Sequence, residues 1–491
     1  MGKPKRPPKL RFEQIDRAQT VLEPIDIESM IPSDHRARLL WDFLGKLKLD
    51  RFTADVKAYE HRAGRDPWPP RLLIAMWLYS YSRGISSARE IERQSGYEPG
   101  LRWLTGLRRI NHHTLSDFRV RHGEALQELF VEVLGVLTLK KLITLEKVTV
   151  DGTKIRACAN KKSFSREAKI REHLAAARQH LEQLQQQEQD QQDQGRRAAA
   201  RKRAARERVA KLESAVTEIQ RLEANKKQDK QKPCQASITD PDAQFMRTGD
   251  QGLAPCFNVQ LVTDSKHTLL VGVRVSNSPS DAAHLEPAVE AVKQQTGQYP
   301  EKVVADGDYT NRAGVIAMAE RDIDFYGSWS NTANPAAYGI QPEYEPGAFR
   351  YDESNNEMIC PEGKHLPYQK CQKMDGKAMF YIFAAASEDC RQCPKRLQCT
   401  PQNSLASHGR AISVLVEDPR VERFHRKMAT AAGKAVYKTR APIAEFPHAW
   451  LKTKFNWVRF RCRGLAKVTA EALWAGLAYN LQNYFRLTRA A

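Results

Sequence analysis

Two short stretches of the chain decide its fold. The first, KVTVDGTKIR at 147–156, places Asp151 after an apolar run, and the second, KVVADGDY at 302–309, places Asp306 in the same way. The β-branched and apolar residues before each aspartate predict strands. A single aspartate after a strand is common, because Asp favours turns. Two of them, followed on a basic helix by Glu445, predict three carboxylates that converge on a divalent metal ion.

The elements around these stretches predict a mixed sheet. Residues 256–264 and 267–277 alternate apolar and polar side chains across a short turn, which is typical of a β-hairpin. A helix follows at 284–297, then the strand before Asp306 and a short strand near 325. Strand, hairpin, helix, strand and a final helix that bears the last acid is the order of a ribonuclease H-like domain. The predicted fold class is therefore multidomain α plus α/β, with this domain over 146–491.

Residues 1–145 predict a helical N-terminal domain. Short helices joined by glycine-containing turns precede a cationic helix near 112–122, on which Arg119 and Arg121 are predicted to face outward. This pattern fits a helix-turn-helix-like unit placed on DNA. A small helical bundle with arginines on its solvent face would show the same pattern, so both interpretations stay open.

Two insertions are predicted within the larger domain. Residues 164–233 carry apolar side chains at steps of three and four, broken near Gly195, which predicts an antiparallel coiled-coil hairpin. The run RRAAARKRAARER at 196–208 is either a solvated helix face or a contact for DNA. Residues 340–410 predict a small Cys-rich β insertion.

The overall charge favours a polyanionic partner. Lys and Arg total 78 against 58 Asp and Glu, which gives a formal net charge of +20 at pH 7. Basic side chains that bind nucleic acid release the counterions condensed on its phosphates. Charge that merely keeps the protein soluble is the alternative. The N-terminus lacks the apolar run of a signal peptide, and no apolar stretch is long enough to span a membrane, so a cytoplasmic protein is expected.

The predicted acids suit phosphodiester chemistry. Two Mg²⁺ ions about 3.5–4 Å apart can neutralise the phosphate, activate water and stabilise the leaving oxygen. Carboxylates are the ligands that Mg²⁺ prefers. Asp151, Asp306 and Glu445 would hold the ions, and Lys452 would be aimed at the phosphate. Pro447 suits a first helical turn, so the helix is predicted to begin near Glu445. Each acid taken singly is better explained by a strand-end turn or a helix start, and it is their combination that favours a metal site.

The chain resembles bacterial insertion-sequence transposases of the DDE type. The resemblance rests on the helical N-terminal segment, the VDGTKI and ADGDY strands, the run SITDPDAQFMRTG at 237–249 and the CPEGK…CRQCPKRLQC segment at 360–399. It resembles the branch with a Tyr-x2-Arg-x3-Glu-x6-Lys signature, in which Tyr437-x2-Arg440 and Glu445-x6-Lys452 match the pattern. Four residues rather than three separate Arg440 from Glu445.

This resemblance implies a catalytic triad of Asp151, Asp306 and Glu445 that binds Mg²⁺, for which Mn²⁺ would substitute. Tyr437, Arg440 and Lys452 would contact DNA phosphates. Asp308 departs from the family, in which small residues are usual there. It is predicted to point to the same side of the strand as Asp306, and it is either an auxiliary ligand or has no role in metal binding.

The resemblance also implies a reaction and partners. Water would first cut the phosphodiester at each element end, and the freed 3′-hydroxyl would then attack target DNA. The partners would be the terminal inverted repeats and target DNA, bound by a homodimer within the bacterial nucleoid. The alternative is a catalytically inactive, sequence-specific DNA-binding protein, either a degenerate transposase or a helix-turn-helix regulator.

The cysteines suggest a second metal site. Five of the nine cysteines lie between Cys360 and Cys399. Cys360, Cys390, Cys393 and Cys399 would hold a structural Zn²⁺ tetrahedrally, with Cys371 as a competing ligand. A set of reduced thiols in a small β insertion is the alternative reading.

Overall fold

Helices precede the first strand, as the sequence predicts. The computed structural model describes residues 17–489 except 21, 23, 55, 57–65, 190–194, 226–232, 250–251, 330–338, 375–377 and 401–408. The helices before the first strand in these ranges are α1 (Arg36–Leu44), α2 (Pro70–Ser82), α3 (Ala88–Gln94), α4 (Pro99–Thr105), α5 (His112–Arg121) and α6 (Gly123–Leu139).

Helix α2 forms the centre of this helical layer. It begins with Pro70, whose fixed φ suits a first helical position. Every residue from Leu72 to Tyr81 is buried, so the helix is surrounded by protein on all sides. The helix ends before Gly84, which adopts a left-handed φ of 77°, a conformation that glycine tolerates without steric cost.

The first strand leads into a helical hairpin, here called the arm, with a core of its own. Strand β1 spans Lys147–Arg156, and the arm that follows comprises β2 (Phe164–Ser165), α7 (Glu167–Gln189), α8 (Arg196–Ala224) and β3 (Ala236–Ser237). The two helices bury the apolar residues that the three-and-four spacing predicts, among them Ile170, Leu174, Leu212 and Ile219. An ion pair of 2.7 Å between Arg178 and Glu213 links the helices at the surface.

The central sheet is mixed. Its further strands are β4 (Gln244–Arg247), β5 (Leu253–Asp264), β6 (Leu270–Ser276), β7 (Lys302–Ala305) and β8 (Asp324–Gly327), accompanied by helices α9 (Leu285–Thr296) and α10 (Arg312–Glu320). The strand order is β4-β5-β1-β7-β8, with β6 also paired to β5. Strands β5 and β6 form the predicted antiparallel hairpin, whereas β1, β7 and β8 run parallel.

A second, smaller sheet follows. It contains β9 (Arg350–Asp352), β10 (Glu357–Ile359), β11 (His365–Met374), β12 (Ala378–Ala384) and β13 (Ala411–Leu415), with the short helices α11 (Ser387–Arg391) and α12 (Arg396–Cys399) between the last two strands. Neighbouring strands are all antiparallel. The sheet has a small core of its own, which includes Phe349, Leu366 and Phe383.

Four helices complete the described chain. They are α13 (Pro419–Ala429), α14 (Ala431–Lys438), α15 (Arg440–Thr453) and α16 (Leu465–Arg489). Helix α15 packs on β1 and β5, and α16 packs against α2, α5, α6 and β6. Asn480 on α16 bonds the backbone of Leu270 in β6 through both its side-chain oxygen (2.9 Å) and nitrogen (2.8 Å). One continuous hydrophobic core therefore joins the N-terminal helices to the central sheet. The domain boundaries remain predictions.

None of the helices in the described ranges is both long enough and apolar enough to cross a lipid bilayer.

Candidate active site

The parallel pairing of β1 and β7 brings the two predicted aspartates together. Val150 lies opposite Ala305 in the register of these strands, so the next residues, Asp151 and Asp306, are neighbours across the strands. Asp151 still belongs to β1 and lies opposite Leu261 of β5. Asp306 is the first residue after β7. The sheet therefore places two carboxyl groups side by side at one edge of its parallel part.

Burial makes both carboxyl groups reluctant to ionise. It raises the pKa of Asp151 to about 6; the nearby Arg440 opposes this rise and the charge of Asp306 adds to it. Burial likewise raises the pKa of Asp306, again opposed by Arg440 and assisted by Asp308. A low-dielectric environment and a like charge both disfavour a carboxylate. A cation placed between the two carboxyl groups would favour their ionised forms.

Helix α15 presents its basic residues to this pair. Arg440, His448 and Lys452 are spaced by multiples of four and therefore share one helix face. The Arg440 guanidinium lies 3.7 Å from Asp151, and Asp151 in turn acts electrostatically on Lys452. Burial lowers the pKa of Lys452, an effect that Asp151 opposes.

His448 closes the inner side of the site. Its Nε2 atom lies 3.5 Å from a carboxylate oxygen of Asp151. Burial, followed by the charge of Lys452, lowers the pKa of His448 to about 3. The imidazole is therefore neutral at physiological pH, and its approach to Asp151 is a packing contact rather than an ion pair.

Glu445 lies beside this group without joining it. The side chain is exposed, and it forms no hydrogen bond or ion pair with any residue that the structure describes. It precedes His448 by three residues and Lys452 by seven, so it flanks the face of α15 that meets Asp151. In the described ranges, no group of three or more His, Cys, Asp or Glu side chains is arranged to hold a metal ion.

The boundaries of α15 differ from the prediction. The helix was expected to begin near Glu445 with Pro447 in its first turn, but it begins at Arg440 and Pro447 lies inside it. Arg440 is thus the first residue of the helix that carries Glu445 and Lys452. Tyr437 is half-buried in the preceding helix α14.

Asp308 lies in the turn after β7 and not on the strand. Its side chain is exposed, and its backbone N–H donates to a carboxylate oxygen of Asp306 over 3.0 Å. The prediction that Asp308 shares a strand face with Asp306 is therefore wrong, because the strand ends at Ala305.

The sequence analysis missed a polar cluster behind the aspartate pair. Asp281 accepts hydrogen bonds from Lys154 (3.0 Å), Asn258 (2.6 Å) and Gln260 (2.7 Å). The hydroxyl of Tyr309 donates to the side chain of Gln260. Asp281 lies in a loop between β6 and α9, where periodicity gives no signal. The strand alternation that places Lys154 and Asn258 on paired strands is the available clue.

Gly152 permits this cluster to approach β1. A Cβ atom at residue 152 would lie 2.7 Å from Gln260, 2.8 Å from Asp281 and 2.9 Å from Tyr309. Gly152→Ala is therefore expected to destabilise the protein by about 1–3 kcal/mol through overpacking, measured as a shift of the urea unfolding midpoint. Gly347→Ala is the matched control, because a Cβ there meets no atom within 4 Å. Equal midpoints for the two variants would contradict the prediction.

The prediction that Arg119 faces outward is wrong. Arg119 is only 6% exposed, and its guanidinium lies 4.6 Å from the ring centre of Trp77 and donates 2.8 Å to the carbonyl of Ser86. The Arg119 guanidinium therefore interacts within the N-terminal helical layer and is not exposed for binding to DNA. Arg121 is exposed, as predicted.

The four cysteines named in the sequence analysis surround one small cavity. Cys360, Cys390, Cys393 and Cys399 line it together. Backbone N–H groups donate to the sulfur atoms of Cys360 and Cys390 over 3.2 Å. Burial raises the pKa of Cys399 to about 11, an effect that Arg410 opposes and the other thiols strengthen. None of the nine cysteines forms a disulfide bond. Since these thiols do not form a metal-binding group, the structure does not support the zinc prediction.

Family comparisons point to transposases over two separate parts of the chain. Residues 25–121, which include the first five helices, match a family model described as "Transposase domain (DUF772)". Residues 359–485, from the second sheet into α16, match a model described as "Transposase DDE domain". No curated protein matches the chain.

Together the two matches support a transposase, and the second supports an enzyme of the nuclease or transposase type. They are consistent with DNA as the partner. The second match contains Arg440, Glu445 and Lys452, whereas Asp151 and Asp306 lie outside both matches.

Proposed function

We propose that this protein is a DNA transposase of an insertion sequence that cuts phosphodiesters at the element ends and joins the freed ends to target DNA. The observation that carries the proposal is the pairing of Asp151 and Asp306 at the ends of two parallel strands, beside Arg440 and Lys452. The residues of this group lie far apart in the sequence and are brought together by the fold. A protein with only a DNA-binding role would not need such a group.

The aspartate pair fits a divalent metal ion. Two hard oxygen donors lie together in a half-buried site, and both resist ionisation without a cation. Mg²⁺ accepts such ligands while keeping several of its waters, and Mn²⁺ prefers the same donors. Asp151 and Asp306 would hold the ion, with Glu445 as the third carboxylate. When bound, the metal supplies charge neutralisation at the phosphate and an activated water.

The basic face of α15 would hold the substrate. Arg440 lies within reach of both aspartates and would exchange its contact with Asp151 for a phosphate oxygen. Lys452 has a pKa lowered by burial, so a phosphate nearby would favour its charged form. Tyr437 precedes these residues on α14 and would contact the neighbouring phosphate. His448, being neutral, would keep the inner wall of the site dry without competing for the phosphate.

The reaction would take place in two displacements at the same site. In the first, water attacks the phosphodiester at an element end, the bond to the 3′ oxygen breaks, and a 3′-hydroxyl is released. In the second, that hydroxyl attacks a phosphodiester of target DNA and displaces another 3′ oxygen. The number of phosphodiester bonds is unchanged by the second step, so joining needs no external energy source. A protein nucleophile is not required.

Two element ends must be held together for such joining, so the proposal includes a homodimer bound to DNA. The reaction would take place within the bacterial nucleoid. The net charge of +20 supports a polyanionic partner.

The decisive experiment combines cleavage and joining. Purified protein is incubated with Mg²⁺ and a duplex that carries the element's own terminal repeats, together with a supercoiled target plasmid. We expect nicks at the repeat boundary and joined products in the plasmid. Binding of the repeats without nicking in Mg²⁺ or Mn²⁺ would instead show a DNA-binding protein. Nicking without any joined product would show a nuclease.

A further inference from the structure

The loop between α15 and α16 carries a row of arginines. Along it, exposed and buried side chains alternate: Arg459, Arg461 and Arg463 are exposed, whereas Phe460 and Cys462 are buried. Arg459 also pairs with Arg156, the last residue of β1, in an isolated parallel bridge. The loop therefore runs beside the end of β1 and carries three exposed arginines.

The backbone of this loop is held in place. The N–H of Phe460 donates to the carbonyl of Arg156, at the end of β1, over 2.8 Å. The N–H groups of Arg461 and Cys462 donate to the carboxylate of Glu471 over 3.0 and 2.9 Å. Glu471 is fully buried. Because buried polar groups resist separation from their partners, the arginines project from a fixed base.

The row continues into two concave surfaces. A cavity of about 540 Å³ lies between the end of β1 and the loop, and one of about 420 Å³ lies between the loop and helix α8. The basic side chains that line them are Arg156, Lys161 and Arg459 in the first, and Arg208, Lys211 and Arg463 in the second.

Few acidic side chains line this surface, and the buried Asp240 acts from beneath it on Arg463 and Lys211. Among the residues that the structure describes, no carboxylate lines the first cavity, and Glu207 is the acid that lines the second. Within the same ranges, Lys161, Arg208 and Arg459 form no ion pair. These cations are therefore available to an external anion, and their spread over two adjoining cavities suits an extended polyanion better than a small ion.

We infer that this surface, the basic strip, binds the phosphate backbone of the duplex next to the phosphodiester that is cut. The basic strip is defined by Arg156, Lys161, Arg459 and Arg463, and its far end by Arg208 and Lys211. The inference rests on the proposed function.

The position of the strip gives its distance along the DNA. Arg156 follows Asp151 by five residues on the same strand, which is roughly 17 Å at about 3.3 Å per residue. A duplex advances about 3.4 Å per base pair on each strand. The strip therefore contacts the backbone about five base pairs from the cut phosphate, and it does so without reading the base sequence.

The test uses the salt dependence of binding. Each phosphate contact contributes about 0.9 to the slope of log affinity against log salt concentration. The double variant Arg459→Ala, Arg463→Ala is expected to lower this slope by about 2, so that its loss of affinity between 50 and 200 mM salt is about tenfold smaller than that of the wild type. Fluorescence anisotropy with a labelled duplex measures both values.

Matched variants secure the interpretation. Arg350→Ala with Arg391→Ala removes two exposed arginines, one on β9 and one on α11, and is expected to leave the slope unchanged. Arg459→Lys with Arg463→Lys keeps the charges and is expected to restore it, since a phosphate accepts a point charge as well as a guanidinium. A duplex that ends three base pairs from the cut site is expected to abolish the difference between the double alanine variant and the wild type.

Failure of the inference differs from failure of the proposed function. If the wild type neither binds nor nicks the repeat duplex, the proposed function is wrong. If the wild type binds and nicks it, but the double alanine variant shows the wild-type slope on a long duplex, the basic strip does not contact DNA.

Discussion

The Asp151→Asn variant is expected to lose Mg²⁺-dependent DNA nicking by about 10³-fold or more, and yet to be more stable than the wild type in metal-free buffer. Loss of a metal-binding carboxylate removes several kcal/mol of charge stabilisation at the phosphate, and about 4 kcal/mol corresponds to 10³ in rate. Stability rises because the wild-type carboxylate is forced to ionise in a half-buried site beside Asp306.

The sign of the stability change follows from the direction of the pKa shift. The folded state raises the pKa of Asp151 from 3.8 to about 6, so folding favours the protonated acid. Its ionisation therefore weakens the metal-free protein as pH rises from about 4 to 6, by roughly 3 kcal/mol at most for two pKa units. Asparagine has no such ionisation, and its oxygen can still accept from the N–H of Gly152, as Asp151 does over 3.0 Å.

Thermal unfolding in EDTA at pH 5 and pH 8 measures this effect. The unfolding temperature of Asp151→Asn should exceed that of the wild type at pH 8 by more than it does at pH 5. Asp322→Asn serves as the control, because Asp322 is exposed in a left-handed turn that asparagine also tolerates. If Asp151→Asn nicks DNA at the wild-type rate, Asp151 is not part of the active site.

Glu445→Gln should show the opposite combination: nicking lost by about 10³-fold or more and stability unchanged. Glu445 is exposed and has no polar partner in the described part of the chain, and substitutions at such surface positions usually change stability by less than about 0.5 kcal/mol. Loss of activity without loss of stability would indicate that this carboxylate works only in the assembled complex. Nicking rate, duplex affinity and unfolding temperature are measured on the same preparation.

The matched control is Glu422→Gln on the neighbouring helix α13, which is also exposed. It is expected to nick DNA at the wild-type rate. Should Glu445→Gln do the same, the third carboxylate of the site must come from elsewhere, and Asp281, whose charge already acts on Asp151, would be the first residue to examine.

The sequence predicted the parts of the site that depend on local patterns. Asp151 and Asp306 each follow an apolar strand, and the parallel pairing of β1 with β7 follows from the order of the elements. The closeness of the two carboxyl groups is therefore a consequence of topology. The basic residues of α15 could also be predicted, because their spacing by fours is visible in the sequence.

The remaining parts depend on contacts between distant segments. Arg119 has the spacing of a surface residue, but α16 packs over α5 and the carbonyl of Arg119 accepts from Trp474 over 3.1 Å. Asp281 lies in a loop without periodicity, and its hydrogen-bond partners come from two strands, β1 and β5. The start of α15 was misplaced because proline inside a helix is rare, so Pro447 favoured a later beginning.

Helix α16 has a consequence for shortened versions of this protein. It fills the space between the N-terminal helices and the central sheet, and its removal would expose apolar side chains on both to solvent. A truncated product that keeps only the first five or six helices is expected to aggregate instead of persisting as a free competitor for the repeats. Loss of α16 would therefore disrupt both DNA recognition and catalysis, since the N-terminal helices and the central sheet both pack against it.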